Sequence, residues 1–325
     1  MNLKSIFTLA VVCVSLAHAG PGTSGGILLD ACPGARPAAR GGAFVAASDV
    51  YAVNYNPGAL ADITNMQVAT AYIKGALDTG YEYGACALPV KGLGVLGFSI
   101  FAFQGGTMDV FDTLGDFTVR SAQNDYLFSG ALGMQNLLIK NLNLGVTVKY
   151  LISSLAETYN ASTLTFDAGG TYKIENIVIG FAACNLLGGL KYLDFADRLP
   201  ITARAGAEYL FTLDSENDLL AAVDLSFNVE RVFKVFIGAE YAYNKTVFGR
   251  LGYRINDGDG GLCIGIGCKV VILENSVQTI DYAFIPSLSG IMDSHRISVG
   301  ISFGEELKKD EGRKRKFFIP NRILR

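Results

Sequence analysis

Arg296-Ile-Ser-Val-Gly-Ile-Ser-Phe303 alternates polar or small residues with apolar ones at every step. Neighbouring residues of an extended strand point to opposite faces of their sheet. Ile297, Val299, Ile301 and Phe303 therefore share one face, and Arg296, Ser298, Gly300 and Ser302 share the other. The rhythm returns along the chain. Leu144, Val146, Val148 and Tyr150 oppose Gly145, Thr147 and Lys149, while Leu164, Phe166, Ala168 and Tyr172 oppose Thr165, Asp167, Gly169 and Thr171. Ile201, Ala203, Ala205 and Tyr209 oppose Thr202, Arg204, Gly206 and Glu208, and Leu262, Ile264, Ile266 and Val270 oppose Cys263, Gly265, Gly267 and Lys269. A membrane barrel, apolar outside and polar within, repeats this pattern in every strand.

The start of the chain supplies the address. Lys4 precedes an apolar run from Ile6 to Ala17, and Ala17-His18-Ala19 before Gly20 has the small-x-small form of a cleavage site. Residues 1–19 are thus a secretory signal and stand outside the fold. No later stretch holds the about 20 consecutive apolar residues that a spanning helix needs, although half of the residues are hydrophobic. Apolar residues dispersed in short alternating runs suit strands that cross a bilayer.

Fourteen strands are read at 66–75, 79–89, 92–104, 120–134, 143–154, 161–173, 176–186, 199–210, 217–228, 232–243, 246–255, 260–272, 276–284 and 295–304. Tight connections such as Val90-Lys91, Ile174-Glu175 and Asn244-Lys245 alternate with longer ones at 105–119, 187–198 and 285–294. Short periplasmic turns and long outer loops produce that asymmetry, and an even strand number then places both chain termini in the periplasm. The fold class expected is all-β: a transmembrane antiparallel β-barrel over 66–304 in the bacterial outer membrane.

Residues 20–65 break the rhythm. Asp49 can cap a short helix, which should end before Asn56-Pro57, because a residue preceding proline is driven out of the helical region. A segment of this kind ahead of a barrel is read as a plug in its lumen, held by Arg36, Arg40, Gly41, Gly42, Asp49, Asn54, Asn56 and Pro57. The residues of the barrel able to meet it are the inward charges Lys149, Asp167, Arg204, Glu208, Asp224, Glu240, Arg250, Arg254, Lys269 and Arg296. They are read as a paired network that fills the lumen, the alternative being a charge-lined permeation path.

Residues 305–325 carry 8 Lys or Arg against 4 Asp or Glu, while residues 20–304 have a net charge of −8. The tail is too charged to bury enough apolar surface to fold alone. It is expected to extend into the periplasm, either solvated or bound to an acidic partner or anionic lipid.

The chemistry of common enzymes finds little support. Gly92-Leu-Gly94-Val-Leu-Gly97 matches a dinucleotide fingerprint, but a strand rather than a helix follows it. Asp257-Gly-Asp-Gly260 lacks the twelve-residue calcium loop and its closing Glu. His295 is the sole histidine after cleavage, so neither a multi-histidine zinc site nor a Ser-His-Asp triad has its parts. Cys263 and Cys268, five apart on one strand, face opposite ways, and the five cysteines after residue 19 leave at least one thiol unpaired. No catalytic residue, metal or cofactor is expected, and no nucleic-acid partner.

Several stretches also resemble a family. Ala35-Arg36, Arg40-Gly-Gly-Ala-Phe-Val-Ala46 and Tyr55-Asn-Pro-Gly-Ala-Leu-Ala61 are similar to the start of the PorV/PorQ proteins, relatives of the FadL-type outer-membrane transporters. Gly180-Phe-Ala-Ala-Cys-Asn185 through Tyr192, Leu199-Pro200 through Gly206, Gly249-Arg-Leu-Gly-Tyr-Arg254, Asp281-Tyr-Ala-Phe284 and His295-Arg-Ile-Ser298 follow in the order of that family's later strands. The resemblance covers roughly 34–304 and implies a fourteen-stranded barrel with an N-terminal plug. It implies a role in outer-membrane protein export of the type IX secretion kind, with secretion-system proteins or exported cargo as partners beside outer-membrane lipid. The FadL relationship implies the alternative, a channel for hydrophobic small molecules.

Overall fold

A computed structural model describes residues 24–75, 78–111, 115–230, 232–257, 261–271, 275–287 and 293–304. The expected signal segment and the basic residues 305–325 lie outside the described residues. The strands are β1 (Gln67–Lys74), β2 (Gly80–Val90), β3 (Gly94–Gln104), β4 (Thr107–Phe111), β5 (Phe117–Ser121), β6 (Gln123–Met134), β7 (Leu142–Leu155), β8 (Tyr159–Ile174) and β9 (Ile177–Leu186). They continue as β10 (Gly189–Lys191), β11 (Ala196–Arg198), β12 (Thr202–Thr212), β13 (Asp218–Asn228), β14 (Phe233–Tyr243), β15 (Val247–Ile255), β16 (Leu262–Val270), β17 (Ser276–Ile285) and β18 (Ser294–Phe303).

Fourteen of these strands form one closed antiparallel barrel, in the order β1-β18-β17-β16-β15-β14-β13-β12-β9-β8-β7-β6-β3-β2. Closure is by β1 against β18, running from Gln67 opposite Ser302 to Lys74 opposite His295. The stretch that alternates most cleanly is therefore the one that closes the barrel. Its faces divide as the alternation requires: Ile297 is 53% exposed, while Ser298 beside it is 1% exposed. The same division gives an exposed outer belt that includes Phe98, Ile100, Val148, Leu164, Leu225, Ile237, Leu251 and Ile266. Such a belt is the surface that lipid covers.

Turns follow from local chemistry. Asn244 and Lys245 both take left-handed backbone angles, with φ of 49° and 52°. Two consecutive residues with positive φ make the primed turn whose twist matches the strands on either side. At the other end, two expected loops contain structure that alternation does not signal. β4 pairs with β5 and β10 with β11, each pair forming a separate two-stranded sheet. Three-residue strands are too short for a period to show, and β4–β5 extends beyond the barrel, where no buried face imposes one.

Inside the barrel lies the N-terminal segment. It begins at the long-loop end, where the backbone N–H of Ser24 donates to Glu230 Oε1 at 2.8 Å and that of Gly25 to Arg198 O at 2.9 Å. A 3-10 turn (Ile27–Leu29), helix α1 (Ala35–Ala39) and helix α2 (Ala52–Tyr55) follow, then a 3-10 helix (Pro57–Asp62). The last of these lies at the short-turn end, where Asn143 Nδ2 donates to Asp62 Oδ1 at 2.9 Å. α2 starts later than the capping argument places it. Asp49 Oδ1 does accept from Tyr51 N at 2.9 Å, but the carboxylate is also drawn to Arg36. α1 carries no alternation or capping signal, and Gly34 ahead of it makes no side-chain cap.

Strand parity alone puts both chain ends on one side, yet the described ends are opposite. Ser24 sits among the long loops, whereas the N–H of Gly304 donates to Asn275 O in a short turn. The segment ahead of β1 traverses the lumen once, which is an additional crossing that a strand count does not include.

Candidate functional site

Glycines of the wall decide where the N-terminal segment can lie. A Cβ on Gly252 would collide with the amide nitrogen of Gly41, and one on Gly238 would stand 2.5 Å from Arg40 O. On the far side of the lumen a Cβ on Gly133 would meet Pro57 O at 2.7 Å. Backbone thus rests directly on backbone. Gly41 and Gly42, with φ of 67° and 87°, reverse the chain after α1 and bring it into this contact.

Polar groups fix the segment between those seats. Arg36 is bidentate to Glu240 at 2.9 and 3.0 Å and reaches Asp49 at 2.8 Å. Arg250 joins the same Glu240 at 2.5 Å and Asp281 at 2.7 Å. Asp49, Arg36, Glu240, Arg250 and Asp281 therefore form one chain of charge, half-buried at Asp49 and Arg36 and buried at the other three. Such pairs add little net stability when intact, but removal of one member leaves a buried charge uncompensated. Arg40, fully buried, lies over the ring of Phe44 and pairs with Glu208 at 2.9 Å. Asp224 accepts the backbone N–H groups of Phe44 and Val45 at 2.7 and 2.8 Å.

Asn54 Oδ1 accepts from Tyr83 and Ser99 at 2.9 and 2.8 Å. Asn56 donates to Val45 O and Gly170 O at 2.6 and 3.0 Å and accepts from Gly58 N at 3.1 Å, while Pro57 opens the 3-10 helix. Lys149 meets Asp167 at 2.6 Å and Asn185 at 3.1 Å, beside a β-bulge between β8 and β9. Lys269 lies over the Phe248 ring at 5.7 Å. The remaining three, Arg204, Arg254 and Arg296, line a cavity of about 320 Å³ at the long-loop end, together with Asp30, Lys234 and Asp257.

Within that cavity Asp257 contacts Lys234 at 2.7 Å and Arg254 at 3.0 Å. Burial pushes its carboxyl up, but these two cations outweigh burial and hold it below the usual range. Alternation could have found Asp281, which shares the inward face of β17 with Val277, Thr279 and Ala283. No pattern marks Asp30, which lies in an irregular segment. Among the described residues no three His, Cys, Asp or Glu side chains are grouped as metal ligands. His295 faces outward and shares a hydrogen bond with Tyr282 Oη at 2.8 Å.

The fold and its lipid-facing belt define an outer-membrane β-barrel. The model of the type IX secretion system membrane protein PorP/SprF family matches residues 121–314, more than half of the chain, and the protein belongs to that family. The family so identified is PorP/SprF, where the sequence resemblance named PorV/PorQ, and both lead to the same secretion system. No curated protein matches the chain. Among solved structures, the Pseudomonas putida toluene transporter TodX is similar at a TM-score of 0.56 and 12% identity, covering 89% of this chain and 99% of its own. A Pseudomonas aeruginosa FadL homologue is similar at 0.53 and 12% identity, with 84% and 98% covered. At such identity the likeness concerns the barrel fold.

Proposed function

We propose that this protein is a non-enzymatic outer-membrane component of type IX protein export, with its barrel plugged by residues 24–63. The observation that carries the reading is the filled lumen. Phe44, Val53 and Leu60 of the segment are each at most 1% exposed, and full burial of such side chains contributes about 1.5–3 kcal/mol apiece. The charged chain from Asp49 to Asp281 adds directional contacts. A hydrophobic channel needs a continuous apolar path, whereas the cavity beside the segment sets Arg204, Lys234, Arg254 and Arg296 among apolar residues such as Ile27, Ile73 and Phe236. In this reading the short turns and Gly304 face the periplasm and the long loops face outward. The partners are then secretion-system proteins or cargo, met through the loops or the basic tail, in a bed of outer-membrane lipid.

Purification of the full chain in mild detergent tests the reading. A stable protein partner of the secretion system is the expected companion. Recovery of stoichiometric hydrocarbon or fatty acid, with no protein partner, would favour a FadL-like channel for hydrophobic small molecules and reject the export reading.

A further inference from the structure

We infer that the cavity at the long-loop end is a binding site for a small organic or inorganic anion bearing a carboxylate or phosphate group. Four cations line it, Arg204, Lys234, Arg254 and Arg296, against the two carboxylates Asp30 and Asp257. The carboxylates are already engaged: Asp257 by Lys234 and Arg254, and Asp30 by Lys234 at 3.5 Å.

Arg204 is drawn to the charges of Asp30 and Asp224 but contacts neither carboxylate. Its guanidinium lies over the rings of Tyr55 and Phe236, at 5.9 and 5.5 Å from their centroids. Among the described residues it has no hydrogen bond and no ion pair. Ring stacking holds the plane of a guanidinium while leaving its edge donors available. Arg296 shows a second vacancy of the same kind. One of its terminal nitrogens donates to Cys32 O, while Nε is buried with no hydrogen-bond partner.

Guanidinium donors that lack an acceptor at contact distance are open to a ligand that supplies one, and a bound anion does so with charge as well as hydrogen bonds. The planar fork of arginine suits the paired oxygens of a carboxylate or phosphate. The volume of about 320 Å³ stands at the lower end of small-ligand pockets, so a compact anion fits better than an extended chain. This site stands apart from the export reading, because it depends on the mouth residues and not on a protein partner.

Calorimetric titration of the full-length protein in detergent tests the site, with inorganic phosphate and succinate as separate probes at constant ionic strength. One saturable site is expected for at least one probe, and the probe that saturates identifies the group. Arg204→Gln should weaken that binding by about tenfold or more. Lys91→Gln, in a turn at the opposite end of the barrel, should leave it unchanged. Heat-modifiable migration in electrophoresis reports whether each variant has assembled, and Arg296→Gln serves as the second variant if Arg204→Gln does not. Absence of saturable binding to wild type for both probes overturns the proposal. Equal affinity in an assembled Arg204→Gln or Arg296→Gln variant overturns it as well.

Discussion

Asn56 shows how much of the lumen depends on one side chain. It is fully buried, and all three of its hydrogen bonds go to backbone groups, two in the N-terminal segment and one in β8. Asn56→Ala leaves Val45 O and Gly170 O without that donor in a buried setting, a loss of about 1–3 kcal/mol. Unfolding in urea, followed by circular dichroism, should show a lower midpoint. Asn56→Asp should be worse, because it presents an acceptor to two carbonyl oxygens. Gly252 is the complementary case, a residue selected for having no side chain. Gly252→Val must displace Gly41 or β15 and, as overpacking, should cost about 1–3 kcal/mol. A Gly252→Val variant that unfolds at the wild-type midpoint would contradict the seat described for Gly41. Neither residue carries an energetic signal that the sequence displays. Asn56 was legible as part of a turn beside proline, whereas the inward glycines were legible only as small residues on the polar face.

At the scale of elements, the strands were legible because a barrel imposes one rule on each of them. Lipid outside and polar groups inside force a two-residue period, so β7, β8, β12, β16 and β18 can be read without reference to one another. The segment ahead of β1 obeys no such rule. It contacts β6, β7 and β8 with one part and β15 to β18 with another, and its shape is set by partners distant in sequence. Arg36 and Asp49 could be picked as candidates, yet their meeting at Glu240 could not. Arg40 could be picked too, but not its place over Phe44. The segment held by these contacts is also where a functional consequence is testable. Deletion of residues 34–61 removes α1, α2 and most of the 3-10 helix while leaving every barrel strand. Single-channel conductance in planar bilayers should rise in the deletion variant, with heat-modifiable migration as the check on assembly. A closed baseline in an assembled deletion variant would mean that something other than this segment seals the barrel. Glu240→Gln is the gentler form of the experiment. It leaves Arg36 and Arg250 facing a neutral amide and should give intermittent openings in place of a steady closed state.

Across the whole molecule, the path of the chain separates the two described ends. Ser24 is tied to Glu230 and Gly25 to Arg198, both in connections at the long-loop end. Phe303 N donates to Met66 O, and Gly304 N to Asn275 O, both at the short-turn end. If the long loops face outward, as proposed, the segment ahead of the first strand runs from the outer side to the periplasmic side. The consequence is measurable on intact cells. A short epitope inserted directly ahead of Ser24 should be reached by antibody without permeabilisation, whereas an epitope directly after Gly304 should require it. The contacts at the two ends are what make the contrast a fair test, because each epitope is joined to a residue whose backbone is hydrogen-bonded at a known end. If both epitopes are reached only after permeabilisation, the segment enters the lumen from the periplasm and the bonds to Glu230 and Arg198 do not persist in the membrane. If only the epitope after Gly304 is reached from outside, the long loops face the periplasm and the barrel orientation is reversed.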